Sequence, residues 1–583
     1  MTRPAKAAII LASLAVIGSG MAVLGILAKF NRPARSDKYV PRPPGTITFT
    51  MDIAPIIFGH CSGCHRPGQS APFNLLDYQD VKKHGRQLAE AAARRYMPPW
   101  LPEPGYGEFI GERTLTPEQI GLLQQWVSEG TREGAAEDLP PLPKWVEGWQ
   151  LGEPDLVVKM PDVYTLGPEG KDIYRNFVIP IPTTETRYVR ALEFQPGNRK
   201  TVHHAFIRFD RTRESRRLDA LDPEPGFSGL HTPSSAETPA GQFLSWQPGK
   251  RVTEAAENLT WTLEPGTDLV LQMHLQPTGK PEQIQPSVGF YFADKPTTKL
   301  PFKIGLRSMG IDIPADKSDY FFEETFQLPV DADVLAVLPH AHYLGKELQG
   351  FATLPDGRRE WLFLIKNWDF NWQGEYQYRK PMALPKGTLL TMHYVYDNST
   401  NNVRNPNHPP QRVRYGLQST DEMGEMWLQV LAHNTNDLAI LGRSYQPVVM
   451  AQALAYNQYL LGKNPTDAKA QTELGKVNFF QGKSAEALGY FREAIQNDAT
   501  FDEPHYFLGL MFRLQGRAPE AKTEFETALR LNPENFKAHG NLGAISMEQG
   551  KLDEAEQHFR NALKINPQDK LARENLDLIS KRK

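Results

Sequence analysis

The chain has 583 residues, 65 Lys and Arg against 68 Asp and Glu, and two cysteines. That length allows about four domains. The near balance of charge excludes a broad basic nucleic-acid surface or an acidic solvating tail, and two thiols exclude a disulfide-stapled scaffold. Prolines number 48, above the usual ~5%, which favours turns and short strands.

The first segment, 1–36, is read as a membrane anchor. Residues 7–28 carry no charge, and as a helix at about 1.5 Å per residue they would span a bilayer core. Arg3 and Lys6 precede the run, and a Pro/Arg-rich linker, 31–44, follows it. An uncleaved anchor is expected, with a cleaved signal peptide as the alternative. Either places the remainder outside the cytoplasm. The expected location is the periplasmic face of a bacterial inner membrane.

Residues 37–146 contain Cys61-Ser62-Gly63-Cys64-His65, the C-x-x-C-H pattern of covalent haem attachment. Two thiols one helical turn apart can form thioethers to the haem vinyls, and the adjacent imidazole can reach the iron. Structural zinc would need further soft ligands, and there is no third cysteine. The segment resembles a small α-helical c-type cytochrome with one covalent haem c. Met97, in a loop before a helix signalled by Thr116-Pro117-Glu118-Gln119, is the expected second axial ligand. Core filler is the plain alternative for Met97, and His60 and His84 are alternative ligands.

Residues 147–446 hold short alternating runs broken by Pro, Gly and Asn, the pattern of all-β sandwiches. Three hundred residues suit two, divided as 147–312 and 313–446. Histidines cluster in Thr201-Val202-His203-His204, Leu271-Gln272-Met273-His274 and Leu338-Pro339-His340-Ala341-His342. In an H-x-H pair on a strand both imidazoles face one side and can share a metal. His203 and His204 would face opposite ways on a regular strand, so shared ligation needs a bulge or strand end. Spacing alone leaves that group open between a metal site and ordinary core or surface histidines. His393 and His433 are read as strand or packing residues.

The order H-H, L-Q-x-H, H-x-H-x-L-G-K and D-E-M, across most of 185–435, resembles the copper type II monooxygenases, the family of peptidylglycine alpha-hydroxylating and dopamine beta-monooxygenases. The resemblance implies two jelly-roll-like sandwiches with one copper each. It implies that His203, His204 and His274 hold an electron-transfer copper, and that His340, His342 and Met423 hold the copper that meets O2. Gln272 would orient the first site. The chain departs from the peptide-amidating pattern: Leu338, Glu425 and Trp427 stand where those enzymes carry Arg, Asn and Tyr to hold a peptide. The family's disulfide cysteines are absent too.

Residues 447–583 repeat with a period of 34. Leu474-Gly475, Leu508-Gly509 and Leu542-Gly543 recur at that step, as do Ala487, Ala521 and Ala555, Phe491, Phe525 and Phe559, and Ala494, Ala528 and Ala562. This matches tetratricopeptide repeats, an α-solenoid of stacked helix pairs, preceded by a helix at about 447–462. His505, His539 and His558 read as structural.

The expected whole is a membrane-anchored monooxygenase using O2 on an unknown organic substrate. An electron donor protein or quinol pathway would feed the haem, a protein partner would bind the repeats, and no nucleic acid is involved. The alternative is a non-enzymatic haem and copper electron-transfer or copper-binding protein, and a structural periplasmic adaptor ranks last.

Overall fold

The computed structural model describes residues 38–582, apart from 70, 171, 230–231, 234, 249, 251–258 and 568. The expected membrane anchor lies outside the described residues. Among the described residues no helix is long and apolar enough to cross a membrane.

A small helical layer comes first. Ala54–His60, Tyr78–Lys83, Gly85–Ala93 and Pro117–Ser128 are its helices. They enclose a core of Ile47, Phe49, Ile53, Ile57, Leu122 and Trp126, each below a tenth exposed. The last helix starts where the sequence signals it. Thr116 accepts from the Gln119 backbone at 3.2 Å and the Gln119 side chain accepts from the Thr116 N–H at 2.9 Å, a complete capping box.

The middle of the chain is β-rich. In the first sandwich one sheet runs Leu156–Lys159, Ser287–Ala293, Arg187–Gln195, Trp261–Leu263, and the other centres on Ile173–Pro180, Asp268–Leu275 and Val202–Asp210. In the second, one sheet runs Leu300–Arg307, Gly424–Ala432, Ala332–Ala341, Tyr376–Leu384, and the other Tyr320–Gln327, Leu389–Tyr396, Gly345–Thr353, Arg359–Ile365. The strand pairings of both sandwiches' main sheets are antiparallel. Leu300–Arg307 falls before the expected boundary at 312, yet it pairs along its whole length with Gly424–Ala432 of the second sandwich. The two sandwiches divide instead at the Pro/Lys-rich stretch 294–299, which carries no periodicity to mark a boundary.

The helical layer is joined to the second sandwich by the segment that follows Met97. The Glu103 N–H donates to Leu364 O at 2.7 Å, and the Ile110 N–H donates to Gln377 O at 2.8 Å. Phe109, 2% exposed, is part of that sandwich's core.

The C-terminal helices begin with Thr435–Lys463, twelve residues earlier than the sequence suggested. Its first half carries Leu441 and Tyr445 into the core of the second sandwich. The Tyr445 hydroxyl donates to Gly305 O at 2.8 Å and accepts from Gly305 N at 2.7 Å. Antiparallel helix pairs follow: Ala468–Phe480 with Ser484–Asn497, Glu503–Leu514 with Ala518–Leu531, and Phe536–Glu548 with Leu552–Ile565, then Lys570–Arg582.

Candidate metal centres

The first cluster is built by a strand irregularity. Val202–Asp210 pairs with Asp268–Leu275 so that His204 faces His274, but Leu275 then pairs with Val202. His203 is the extra residue of a bulge, which turns its ring to the same side as that of His204. The two Nδ1 atoms are 3.1 Å apart, and one nitrogen from each of His203, His204 and His274 lies within 4.8 Å of the others. The His274 Nε2–H donates to Asp172 Oδ2 at 2.7 Å. This leaves its Nδ1 as the lone-pair nitrogen, and that atom is buried without a hydrogen-bond partner. Tyr174 stacks on the His274 ring at 4.3 Å and 11°. Burial, reinforced by the neighbouring rings, lowers His203 to about 4 and His204 well below the ordinary imidazole value. Burial lowers His274 as well, against the pull of Asp172, so the three imidazoles are neutral near pH 7, the protonation state that binds a metal. A buried, unpartnered nitrogen converging with two others fits a cation of the borderline type that imidazole prefers, copper among them. Gln272 donates to Asn176 Oδ1 at 3.2 Å; the group that orients His274 is Asp172.

The second cluster lies at the end of Ala332–Ala341. The His340 Nδ1–H donates to Gln373 Oε1 at 2.5 Å, and the His342 Nδ1–H donates to Asp421 O at 3.1 Å. Both Nε2 atoms then carry lone pairs. His340 Nε2 lies 3.1 Å from Met423 Sδ, and the two rings are 5.2 Å apart. Two lone-pair donors, nitrogen and thioether, meet with no hydrogen between them, a set that suits a soft cation such as Cu(I). Burial lowers His342 to about 3, with His340 adding to the effect. Glu422 anchors the loop. Its carboxylate accepts from the N–H groups of His342 at 2.5 Å, Met423 at 2.8 Å and Leu344 at 2.9 Å. Asp172, Gln373 and Glu422 escaped the sequence reading. Each acts on a histidine or methionine distant in the chain or through backbone atoms; Glu422 alone had a signal, its place in the D-E-M motif.

The departures from the peptide-amidating pattern sit together beside this cluster. Leu338 pairs across the strands with Trp427, and His340 with Glu425. Glu425 accepts from Arg307 Nε at 2.6 Å and from Trp427 Nε1 at 2.8 Å, so its charge is spent inside the protein.

In the helical layer, Cys61, Cys64 and His65 continue the end of Ala54–His60. The Cys61 N–H donates to Ile57 O at 2.8 Å and the His65 N–H to Cys61 O at 3.0 Å. Neither cysteine is in a disulfide. Burial pushes the Cys61 thiol up to about 12, the opposite of a redox-active thiolate. The His65 Nδ1–H donates to Phe73 O at 3.1 Å, which leaves Nε2 with a free lone pair that could bind a metal. Two free thiols and an oriented imidazole fit haem c. Met97 is half-buried in the turn after Gly85–Ala93; the structure records no contact joining it to His65. His84 stacks on Phe73 at 3.9 Å, and His60 Nε2 meets Gln119 Nε2 at 3.3 Å. Arg199, at the foot of the strand bearing His203, is lowered by burial and by nearby Arg66, with Cys64 also within electrostatic reach. The Cys61–His65 segment thus lies within electrostatic reach of the turn that leads into the first cluster's strand. His393, on the strand Leu389–Tyr396, bonds Glu323 at 3.0 Å, and His433, exposed one residue past the strand Gly424–Ala432, bonds Asp333 at 3.3 Å.

The period of 34 has a steric basis. A Cβ added to Gly475 would lie 2.5 Å from the Phe491 ring, one on Gly509 2.6 Å from Phe525, and one on Gly543 2.9 Å from Phe559. Each repeat packs a phenyl ring, at most 1% exposed, onto a bare backbone. The tetratricopeptide-repeat family pattern matches residues 450–500 and 506–570. The C-terminal helices are tetratricopeptide repeats. The array is similar to two solved structures. One is the first such domain of Spaghetti (RPAP3) bound to an HSP90 peptide, at 24% identity over 20% of this chain and 91% of that one, TM-score 0.19. The other is MamA, at 24% identity over 23% of this chain and 79% of that one, TM-score 0.19. No curated protein matches the chain. Within the repeats His505 bonds Glu524 at 2.7 Å, and His539 and His558 bond each other at 3.0 Å across two helices. The loop residues Asp502 and Glu534 lie within electrostatic reach of Arg217 and Arg216 on Glu214–Leu221 of the first sandwich.

Proposed function

We propose that the chain is a membrane-anchored, copper-dependent monooxygenase that hydroxylates an organic substrate with O2 and draws electrons through a covalently bound haem c. The observation that carries the reading is the pairing of two unlike donor sets in one chain, three converging imidazoles and a His-His-Met group. Copper bound at the two sets would supply one-electron redox chemistry, and at the softer set the capacity to react with O2. The chain's own groups prepare for this. Asp172 and Gln373 fix which ring nitrogen faces each centre, and Glu422 holds the backbone of both His342 and Met423. Cys61, Cys64, His65 and, on the resemblance alone, Met97 would hold the haem. Leu338 and Trp427 are apolar cross-strand partners beside the cluster, and Arg307 is paired with Glu425 and so is not free to grip a carboxylate. This supports a substrate class other than C-terminal glycine peptides. The repeats would bind a protein partner, and the periplasmic location follows from the anchor.

The test is metal and haem stoichiometry together with O2 uptake by the reduced protein over a substrate panel. Two coppers and one haem per chain, with coupled product that is lost in His340→Ala and Met423→Ala, is the expected result. Full metal loading with no coupled product on any substrate would leave the second reading, an electron-transfer module. The Glu425–Arg307 pair favours that reading, since it fills the position where relatives of this kind hold a substrate.

A further inference from the structure

We infer that Phe370 is the positioning residue that sets the separation of the two histidine clusters. The inference rests on the reading that each cluster takes a copper ion. Phe370, 6% exposed, opens the short turn Phe370–Trp372 of the second sandwich. Its ring lies 5.5 Å from His342 and 6.4 Å from His340, and on its other side 6.3 Å from His203 of the first sandwich, inclined by 28°. A single phenyl group therefore contacts imidazoles of both clusters.

The turn is fixed on both flanks. Asp369 Oδ1 accepts from the Asn371 backbone and side chain, each at 3.0 Å. Arg404 pairs with Asp369 at 3.2 Å and also donates to Trp368 O. Gln373, immediately after the turn, holds His340 Nδ1. The residue that orients a ligand and the residue that spaces the clusters thus share one rigid element. Further contacts join the two sandwiches. Lys250 bridges to Glu375 at 2.7 Å, and the Gln429 side chain donates to Gly241 O at 2.7 Å. Leu259 packs with Leu335 and Leu431 in a buried cluster. Tyr343 packs on Phe370 at 4.7 Å and lies within electrostatic reach of Asp172, the partner of His274.

The experiment is electron paramagnetic resonance of the full chain loaded with cupric ion. With two coppers per chain, the unaltered protein is expected to show spin–spin broadening from their proximity. Phe370→Ala should lose most of that broadening while still binding two coppers, and Phe370→Leu, which keeps an apolar wedge, should retain it. If Phe370→Ala does not fold by thermal melting, Phe370→Val is measured against the same criterion. Undiminished broadening in the Ala or Val variant overturns the inference, as does its absence in the unaltered protein with both coppers bound. Fewer than two coppers per unaltered chain overturns instead the reading on which the inference rests.

Discussion

Replacing Glu422 by Gln keeps the shape of the side chain and changes one atom's role. In the native loop Oε1 accepts from the N–H groups of His342 and Met423, and Oε2 from that of Leu344. The amide can keep the first two bonds, but its NH2 then faces the buried Leu344 N–H, donor against donor. A buried backbone donor left unsatisfied costs about 1–3 kcal/mol. For a domain of this size about 2 kcal/mol corresponds to a melting shift of ~4–8 °C. Because the same carboxylate holds the backbone of two expected ligands, affinity at the second cluster should also fall, by about the 10–100-fold seen when a ligand's orienting partner is removed. Thermal melting of the metal-free protein and cuprous-ion titration measure the two effects separately. A Glu422→Gln protein that melts within a degree of the parent and binds the ion equally well would refute the argument that this carboxylate builds the loop.

Asp172→Asn should weaken metal binding at the first cluster by about 10–100-fold and leave the second unchanged, as read by competition titration with His340→Ala as the background. Cys61→Ala or Cys64→Ala should sharply reduce haem that survives denaturing electrophoresis when the chain is exported with a haem-attachment system, and full retention in both would argue against thioether linkage. Phe525→Ala should cost about 3–5 kcal/mol through the cavity left on Gly509, seen as loss of helical circular dichroism at lower temperature than in the parent. Lys303 is pushed down from its ordinary 10.5 to about 8 by burial and by Arg208. Below pH 8 it is charged in both the folded and unfolded chain and the full penalty, up to ~3 kcal/mol, applies. Between pH 8 and 10.5 the unfolded chain binds more protons, so stability should rise with pH. Lys303→Met should be more stable at pH 7 and lack that rise, and identical melting profiles from pH 7 to 10 would refute it.

What the sequence makes legible follows from how local each signal is. The repeats are visible because every Gly–Phe contact recurs at one fixed spacing, and the H-x-H pair because a strand's period of two is itself local. An adjacent histidine pair can share a metal only at a bulge or a strand end, and the register places a bulge at His203. Asp172, Gln373 and Phe370 were invisible because their meaning depends on partners 102, 33 and 167 positions away (for Phe370, His203), and no local pattern marks such a pairing. The boundary near 300 and the early start of Thr435–Lys463 were missed for a related reason. Each is decided by which sheet an apolar residue packs on, a choice made by the tertiary fold.

The helix Thr435–Lys463 belongs to two neighbours at once. Its Leu441 and Tyr445 complete the second sandwich, and its far end leads into the repeats. A fragment cut at the apparent junction near residue 446 would sever this helix between its duties, keeping Leu441 and Tyr445 but stripping the sandwich of Gln452, which donates to Gly305 O at 3.0 Å, and of Tyr456 and Tyr459, which pack on its core, and leaving the array an unpaired stub. The minimal unit worth expressing therefore ends after Lys463, and gene fusions or deletions that treat the repeats as a detachable module will be felt in the strand next to Glu425. Chain architecture here is spliced rather than strung: a load applied at the repeats is borne by the wall of the second histidine cluster.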